Sequence, residues 1–336
     1  MNLRFRKGLS DQSGSVAIII GIAIFVLLGL SALALDIAHM VTVKSQLLKA
    51  ADAGALAGAR GLWPLVQPIK GPTTINPDCA AAFLAAQLTT QRNQVDGSNL
   101  APDGEITIQV GLWNYGTKTF TPGCTTNSNA VRVSTRRDGV VMLFAKVFGI
   151  STANLSATAT AVQDFASAMA GGAIPITLDK KVAQPTEPPT IIKVHMTPDN
   201  TDNAGWFVVP PDSAAAATLK DYINKKDCPP LKIGDLINLQ NGADASVISA
   251  LKDEFDTYHA ADGYWDTCIP LVDTAKFGQT EPIVGFVCFR ITKIVNTTSE
   301  KRVEGEVLQL VDSPTALPGA GGKTYGGVLA PPKAVQ

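Results

Sequence analysis

Apolar residues are distributed unevenly along this chain. From Gly14 to Leu35 no charge interrupts the run GSVAIIIGIAIFVLLGLSALAL. About 20 apolar residues suffice to cross a bilayer as a helix. The Val, Ile, Leu and Phe side chains of the run, at roughly −0.3 to −0.6 kcal/mol each, favour insertion by about 4 to 8 kcal/mol. No other stretch comes close, so one span is expected. Beyond Leu35 the pattern becomes amphipathic. Ile37, Met40, Val41, Leu47, Leu48, Ala51, Ala55 and Ala59 recur at helical intervals, while Asp36, His39, Lys49 and Asp52 fall largely on another face. The helix is predicted to continue to Arg60 and to stop before Trp63-Pro64. Residues 15–60 would then extend about 69 Å at 1.5 Å per residue, roughly half in lipid and half outside. The outer part, ADAGALAGA at 51–59, is built of small residues. These let another helix or a sheet approach closely, and alanine also favours helix in its own right.

Further along, residues 78–92 read as a helix with Phe83, Leu84 and Leu88 on one side. Alternation then marks strands at Glu105–Val110 and Ala130–Ser134. Gly116 stands where a hairpin could turn towards Lys118–Thr121, Val140–Phe148 reads as a second short helix, and Leu155–Val162 alternates again. Gly171-Gly172 and PTEPP at 185–189 mark a joint. The clearest strands after it are Ile191–Met196, Gly205–Val209, Ile283–Ile291 and Arg302–Leu310, with a helix over Asp244–Asp256. From Pro314 the chain is rich in Pro and Gly and is expected to be loose or extended. The fold class is therefore α+β. A long N-terminal transmembrane helix continues into a small antiparallel-sheet α+β domain, followed by a β-rich C-terminal domain. The expected boundaries are a cytoplasmic tail at 1–14, the transmembrane helix and stalk at 15–60, the α+β domain at 61–165, the β-rich domain at 166–313 and a flexible tail at 314–336.

Charge sets the orientation. Arg4, Arg6 and Lys7 precede the span with only Asp11 opposing them, so the N-terminus is expected in the cytoplasm and the bulk of the chain across the inner membrane of a bacterium, in the periplasm. A cleaved signal peptide is the competing reading, since Ala32-Leu33-Ala34 fits an A-x-A site. Against it, the run is longer than a usual signal core and the helical pattern does not stop there. The net charge of −1, without a basic stripe, argues against nucleic acid as a partner. The cysteines fit an oxidising compartment, and none forms a C-x-x-C pair. Cys288 lies inside the apolar IVGFVCF and reads as a buried free thiol. Cys79–Cys124 and Cys228–Cys268 are then the expected bridges.

Sites of chemistry are sparse. Asp11, Ser13 and Ser15 spell D-x-S-x-S, the magnesium-ligand pattern of von Willebrand-type domains, but the pattern abuts the span instead of following a buried strand. A serine capping the first helical N–H groups explains it. Asp199 to Gly205 resembles a calcium loop, yet the glycine comes one place late and Pro210 stands where a bidentate Glu belongs. His39, His195 and His259 are the only histidines, and none accompanies a nucleophile motif. No enzyme, metal, cofactor or small-molecule substrate is expected. Asp36, at the outer end of the span, reads either as a boundary charge or as a polar handle for a neighbouring helix.

Three segments together resemble the N-terminal part of TadE/TadG-like proteins of the Flp (tight adherence) pilus machinery. They are GSVAI at 14–18, GLSALALD at 29–36 and KSQLLKAADAGALAGA at 44–59. A second match is VRVSTRRDGVVMLFAKVFGISTANLSATATAV at 131–162, and weaker ones lie at Ile233-Gly234-Asp235, Asn241-Gly242 and Ile283–Phe286. The resemblance implies an inner-membrane component of pilus assembly, minor pilin-like or an assembly factor, without a von Willebrand-type domain. Its partners would be other pilus-machinery membrane proteins or pilin-like subunits. Gly21, Gly29, Ala32, Asp36, Ala51, Ala55 and Ala59 are the residues expected to pack against the membrane-embedded or partner helices. Pilin-like precursors cut after glycine carry Glu at the fifth mature position, and here that position, counted from Ser15, is Ile19. This departure favours an uncut anchor.

Overall fold

The computed structural model describes residues 13–63, 76–181, 192–195, 204–213, 215–240, 245–259, 261–274, 276–308, 311–319 and 327–335. Helix α1, Ser13–Gly61, is continuous for 49 residues, or about 74 Å at 1.5 Å per residue. Among the described residues it is the one helix long and apolar enough to cross a membrane. Asp11 of the D-x-S-x-S pattern lies outside the described residues, as does most of the Asp199–Gly205 loop.

The outer half of α1 is the spine of the first core. Helix α2, Cys79–Gln91, opens with Asp78, whose carboxylate accepts from the N–H of Ala81 at 2.9 Å. This N-cap satisfies one of the four unpaired donors of the first turn. Both helices lie on an antiparallel sheet of five strands in the order Lys333–Ala334, Thr152–Val162, Ala130–Val141, Ile106–Asn114, Thr119–Pro122. Val133 pairs with Ala159 and Val131 with Ala161. These buried side chains meet Val43, Leu47, Ala51, Ala55 and Ala59 of α1 and Ala82 and Ala86 of α2.

The predicted helix at Val140–Phe148 is not formed. Val140 and Val141 continue the strand that begins at Ala130, and only Ala145–Phe148 coils, as a single 3-10 turn. β-Branched valines fit the pleat better than the helix, and Gly149, at φ +83°, closes the turn.

The second half is built on a seven-stranded sheet. Its order is Leu236–Gln240, Ala204–Val208, Ile176–Asp179, Trp265–Val272, Thr280–Asn296, Lys301–Leu308, Ile192–His195. Leu236–Asn238 also pair with Thr280–Pro282, so five of these strands close into a ring. Ring closure removes exposed edges. Successive residues alternate between two cores. Trp206, Leu271, Val287 and Phe289 meet α3, Ala216–Asn224, and α4, Ala245–Tyr258. Phe207, Val272, Phe286 and Cys288 meet Ala166, Met169, Leu231 and Ala316. Those last four residues belong to a three-stranded sheet of Leu231–Lys232, Ala166–Met169 and Ala316–Pro318. Burial on both faces explains why IVGFVCF is continuously apolar instead of alternating.

The stretch after Pro314, expected to be loose or extended, is extended and paired where it is described. Val328–Leu329 pairs with Val311–Asp312, and Lys333–Ala334 adds an edge strand to the first sheet. The N–H of Ala330 donates to the Asp164 carbonyl and that of Val335 to the Thr160 carbonyl. The C-terminal segment thus returns to the core that α1 began.

The cysteine pairing differs from expectation on one side. Cys79 and Cys124 are bridged, and so are Cys268 and Cys288, which face each other on adjacent strands. The expected Cys228–Cys268 bridge is absent and Cys228 is the buried free thiol. An apolar neighbourhood did not distinguish bridged Cys288 from a free thiol, because both faces of its strand are covered. Burial pushes the Cys228 thiol up to about 12. Thiolate, the reactive form, is then scarce at neutral pH. Native protein treated with iodoacetamide at pH 8 is expected to stay unlabelled and to take up one label per chain once denatured, as read by mass spectrometry. Labelling of native protein at Cys268 or Cys288 would overturn the assigned pairing.

Candidate functional site

Helix α1 changes character at Asp36. Over residues 16–35 every side chain is exposed except that of Ala32, which is half-buried. Phe25 is 78% exposed, and a Cβ on Gly21 or Gly29 would meet nothing within 4 Å. An apolar surface of this size facing water is rare on soluble monomers. Beyond Asp36 the same helix turns inward. Val43, Leu47, Ala50, Ala51, Ala55 and Ala59 are all at most 1% exposed.

The small residues of the stalk therefore serve this chain's own core. Ala51, Ala55 and Ala59, expected to pack against a partner helix, are covered by α2 and the five-stranded sheet. The tightest approach is made by their glycine neighbours. A Cβ on Gly58 would stand 2.8 Å from Val131 Cγ1 and 2.9 Å from Ala86 Cβ, and one on Gly54 would stand 2.0 Å from Thr90 Oγ1. Gly54 and Gly58 are one helical turn apart, so they make a continuous groove for α2. Their four-residue spacing in ADAGALAGA was visible in the sequence.

Asp36 is neither a solvated boundary charge nor a handle for another helix. Its side chain is 2% exposed and accepts three backbone N–H groups: Leu143 at 2.8 Å, Phe144 at 3.0 Å and Ala145 at 2.6 Å. These donors open the 3-10 turn Ala145–Phe148, so the carboxylate caps a turn 107 or more residues away in sequence. Burial alone would raise the carboxyl's pKa, but the three donors and nearby His39 outweigh it and hold it below its ordinary value of 3.8. A depressed folded pKa means the contact contributes fully above the unfolded value and is lost only as the pH falls through the folded one. The junction therefore holds at neutral and mildly acidic pH. Asp36→Ala is expected to speed amide exchange at Leu143, Phe144 and Ala145 on the order of tenfold. Unchanged exchange there, read by hydrogen–deuterium exchange, would refute the cap.

The histidines are placed separately. His39 Nε2 lies 3.6 Å from Asp96, and the His259 ring stacks on Trp265 with centroids 4.7 Å apart. His195 lies in a strand whose side chains fall outside the described residues. In the second half a cleft of about 420 Å³ carries Lys226, Trp265, Asp266 and the Cys268–Cys288 bridge on its walls.

Two family models match this geometry segment by segment. Residues 14–61, the two halves of α1, match the Tad model of Flp pilus-assembly TadE/G-like proteins. Residues 68–161, with α2 and the first sheet through the strand Thr152–Val162, match the Tad-like Flp pilus-assembly model. The two matches cover less than half of the chain, and over that part it is similar to Tad-family Flp pilus-assembly proteins. No curated protein and no solved structure matches it. The Tad matches end at residue 161, so the seven-stranded sheet lies wholly outside them. Within the Tad portion lie the exposed apolar helix, the Asp36 cap and the glycine groove. That makes this portion a membrane-anchor-like helix clamped to a compact head, which fits a structural or assembly role.

Proposed function

We propose that this chain is a single-pass inner-membrane component of Flp pilus assembly, with its N-terminus in the cytoplasm and its bulk in the periplasm. The observation that carries the reading is the continuity of α1. One unbroken helix is exposed and apolar over 16–35 and locked into a folded head from Val43 onward. Helix continues through Ala32-Leu33-Ala34 without a break, which supports a retained anchor over a cleaved signal. The protein acts by packing and contact, minor pilin-like or as an assembly factor. Because the chain's own α2 and sheet cover Ala51, Ala55 and Ala59, contacts with other membrane helices fall to the exposed half, where Gly21 and Gly29 allow close approach. Cytoplasmic Arg4, Arg6 and Lys7 set the direction of insertion.

Sodium carbonate extraction of vesicles tests the anchor. Full-length protein is expected to remain in the pellet, and its release into the supernatant would sink the proposal. Crosslinking from Gly21→Cys and Gly29→Cys is expected to capture other pilus-machinery membrane proteins.

A further inference from the structure

We propose that the loop Leu143–Ile150 is a second membrane contact, whose apolar tip enters the headgroup and upper acyl region of the leaflet from which α1 emerges. The inference rests on reading 16–35 as the span.

Two contacts fix the direction of the loop. Thr135 Oγ1 donates to the Leu47 carbonyl at 3.0 Å, and the N–H groups of Leu143, Phe144 and Ala145 donate to Asp36. As the strand Ala130–Val141 runs forward, it therefore runs down α1 towards the apolar half. Asp36 directly follows the last residue of the uncharged run, so the cap at Asp36 holds the loop at the level where that run ends. Ala32, one turn further into the run and on the face of Asp36, is the residue of 16–35 that is half-buried.

The loop's composition fits that position. Val147 is 84% exposed, Phe148 74%, Leu143 65% and Ile150 56%. Solitary exposed apolar residues are ordinary, but a contiguous group marks a contact surface. Continuity with the apolar helix singles out lipid as what covers this group. Aromatic and aliphatic side chains in the interface, beside a cation, are the composition of interfacial membrane anchors. Lys146 supplies the cation, exposed between Ala145 and Val147, and its long stem lets the ammonium reach anionic headgroups. Anchored twice, the head would be fixed in tilt and rotation relative to the membrane plane. A single helix cannot impose that.

Full-length protein with Phe148→Trp, reconstituted in phosphatidylethanolamine–phosphatidylglycerol vesicles, tests this. The native tryptophans Trp63, Trp113, Trp206 and Trp265 are all buried and give a background that the wild type subtracts. Lipids bearing a nitroxide near the headgroup are expected to quench most of the added emission, while aqueous iodide leaves it unaffected. Leu317→Trp, at an exposed site of the second half, reports the water-facing pattern. Phe25→Trp, in the span, must be quenched by a nitroxide deep in the acyl chains. Its failure would overturn the span itself. With Phe25→Trp quenched, two results would overturn the loop contact alone: iodide quenching of Phe148→Trp equal to that of Leu317→Trp, or protection from both quenchers, which would assign the tip to a second copy of the chain.

Discussion

Replacing Cys79 and Cys124 together by serine is expected to lower stability by about 2–4 kcal/mol, with thermal unfolding falling by roughly 5–15 °C. The bridge spans 45 residues of sequence. Cross-links that close long loops remove the most conformational freedom from the unfolded chain. Its position adds to its weight. Cys79 is the first residue of α2, and Cys124 follows the outer strand Thr119–Pro122. Helix α2 buries little apolar bulk of its own, since its buried positions are Ala82, Ala86 and Thr90. Each alanine contributes far less burial than a leucine, so covalent attachment offsets a thin interface. Differential scanning calorimetry of wild type and variant without reductant, which keeps the Cys268–Cys288 bridge in both, checks this. The Cys268–Cys288 bridge closes a loop of only 20 residues between strands already paired along their length. Its loss is expected to cost less. Equal melting temperatures for wild type and the Cys79/Cys124 variant would show that noncovalent packing alone holds α2.

The long helix, the strand alternation of the first sheet and the family resemblance were legible because each rests on local pattern. An uncharged run, a period of two and an Ala-Asp-Ala-x-Ala segment each report themselves within about two dozen residues. The partner of the stalk was not legible. Small residues at 51–59 announce close approach, but only the fold decides between another protein and the chain's own α2. The role of Asp36 was hidden for the same reason, because its three donors come from a loop more than a hundred residues away. Helical spacing in VVMLFAKVF misled as well, since strand pairing of Val140 and Val141 outweighed it. The second half offered weaker signals throughout. Its long strand Thr280–Asn296 is buried on both faces over Gly285–Phe289, and that removes, in this middle part, the alternation by which strands are read.

Gly58→Leu is expected to destabilise the head by about 1–3 kcal/mol through overpacking. A glycine in mid-helix normally costs about 1 kcal/mol relative to alanine, so substitution there would ordinarily stabilise. Here the neighbours reverse the sign. The new Cβ would lie 2.8 Å from Val131 Cγ1, 2.9 Å from Ala86 Cβ and 3.1 Å from the Ala82 carbonyl oxygen. Val131 belongs to a paired strand and Ala86 to the facing helix, so neither can retreat without moving its element. Gly54 is a milder case, because its closest contact is the end of the Thr90 side chain, which could rotate at the cost of its 2.7 Å bond to the Ala86 carbonyl. Gly21→Leu is the control, for a Cβ there meets open space. Thermal unfolding in detergent should separate the two: a clear loss for Gly58→Leu and none for Gly21→Leu. Both variants should remain in the carbonate-washed pellet, since Gly58 lies outside 16–35 and Gly21→Leu only adds to the apolarity of that stretch. The prediction divides α1 into independent halves, one holding the bilayer and one holding the head. A Gly58→Leu protein that melts like the wild type would mean that α2 does not sit in the groove.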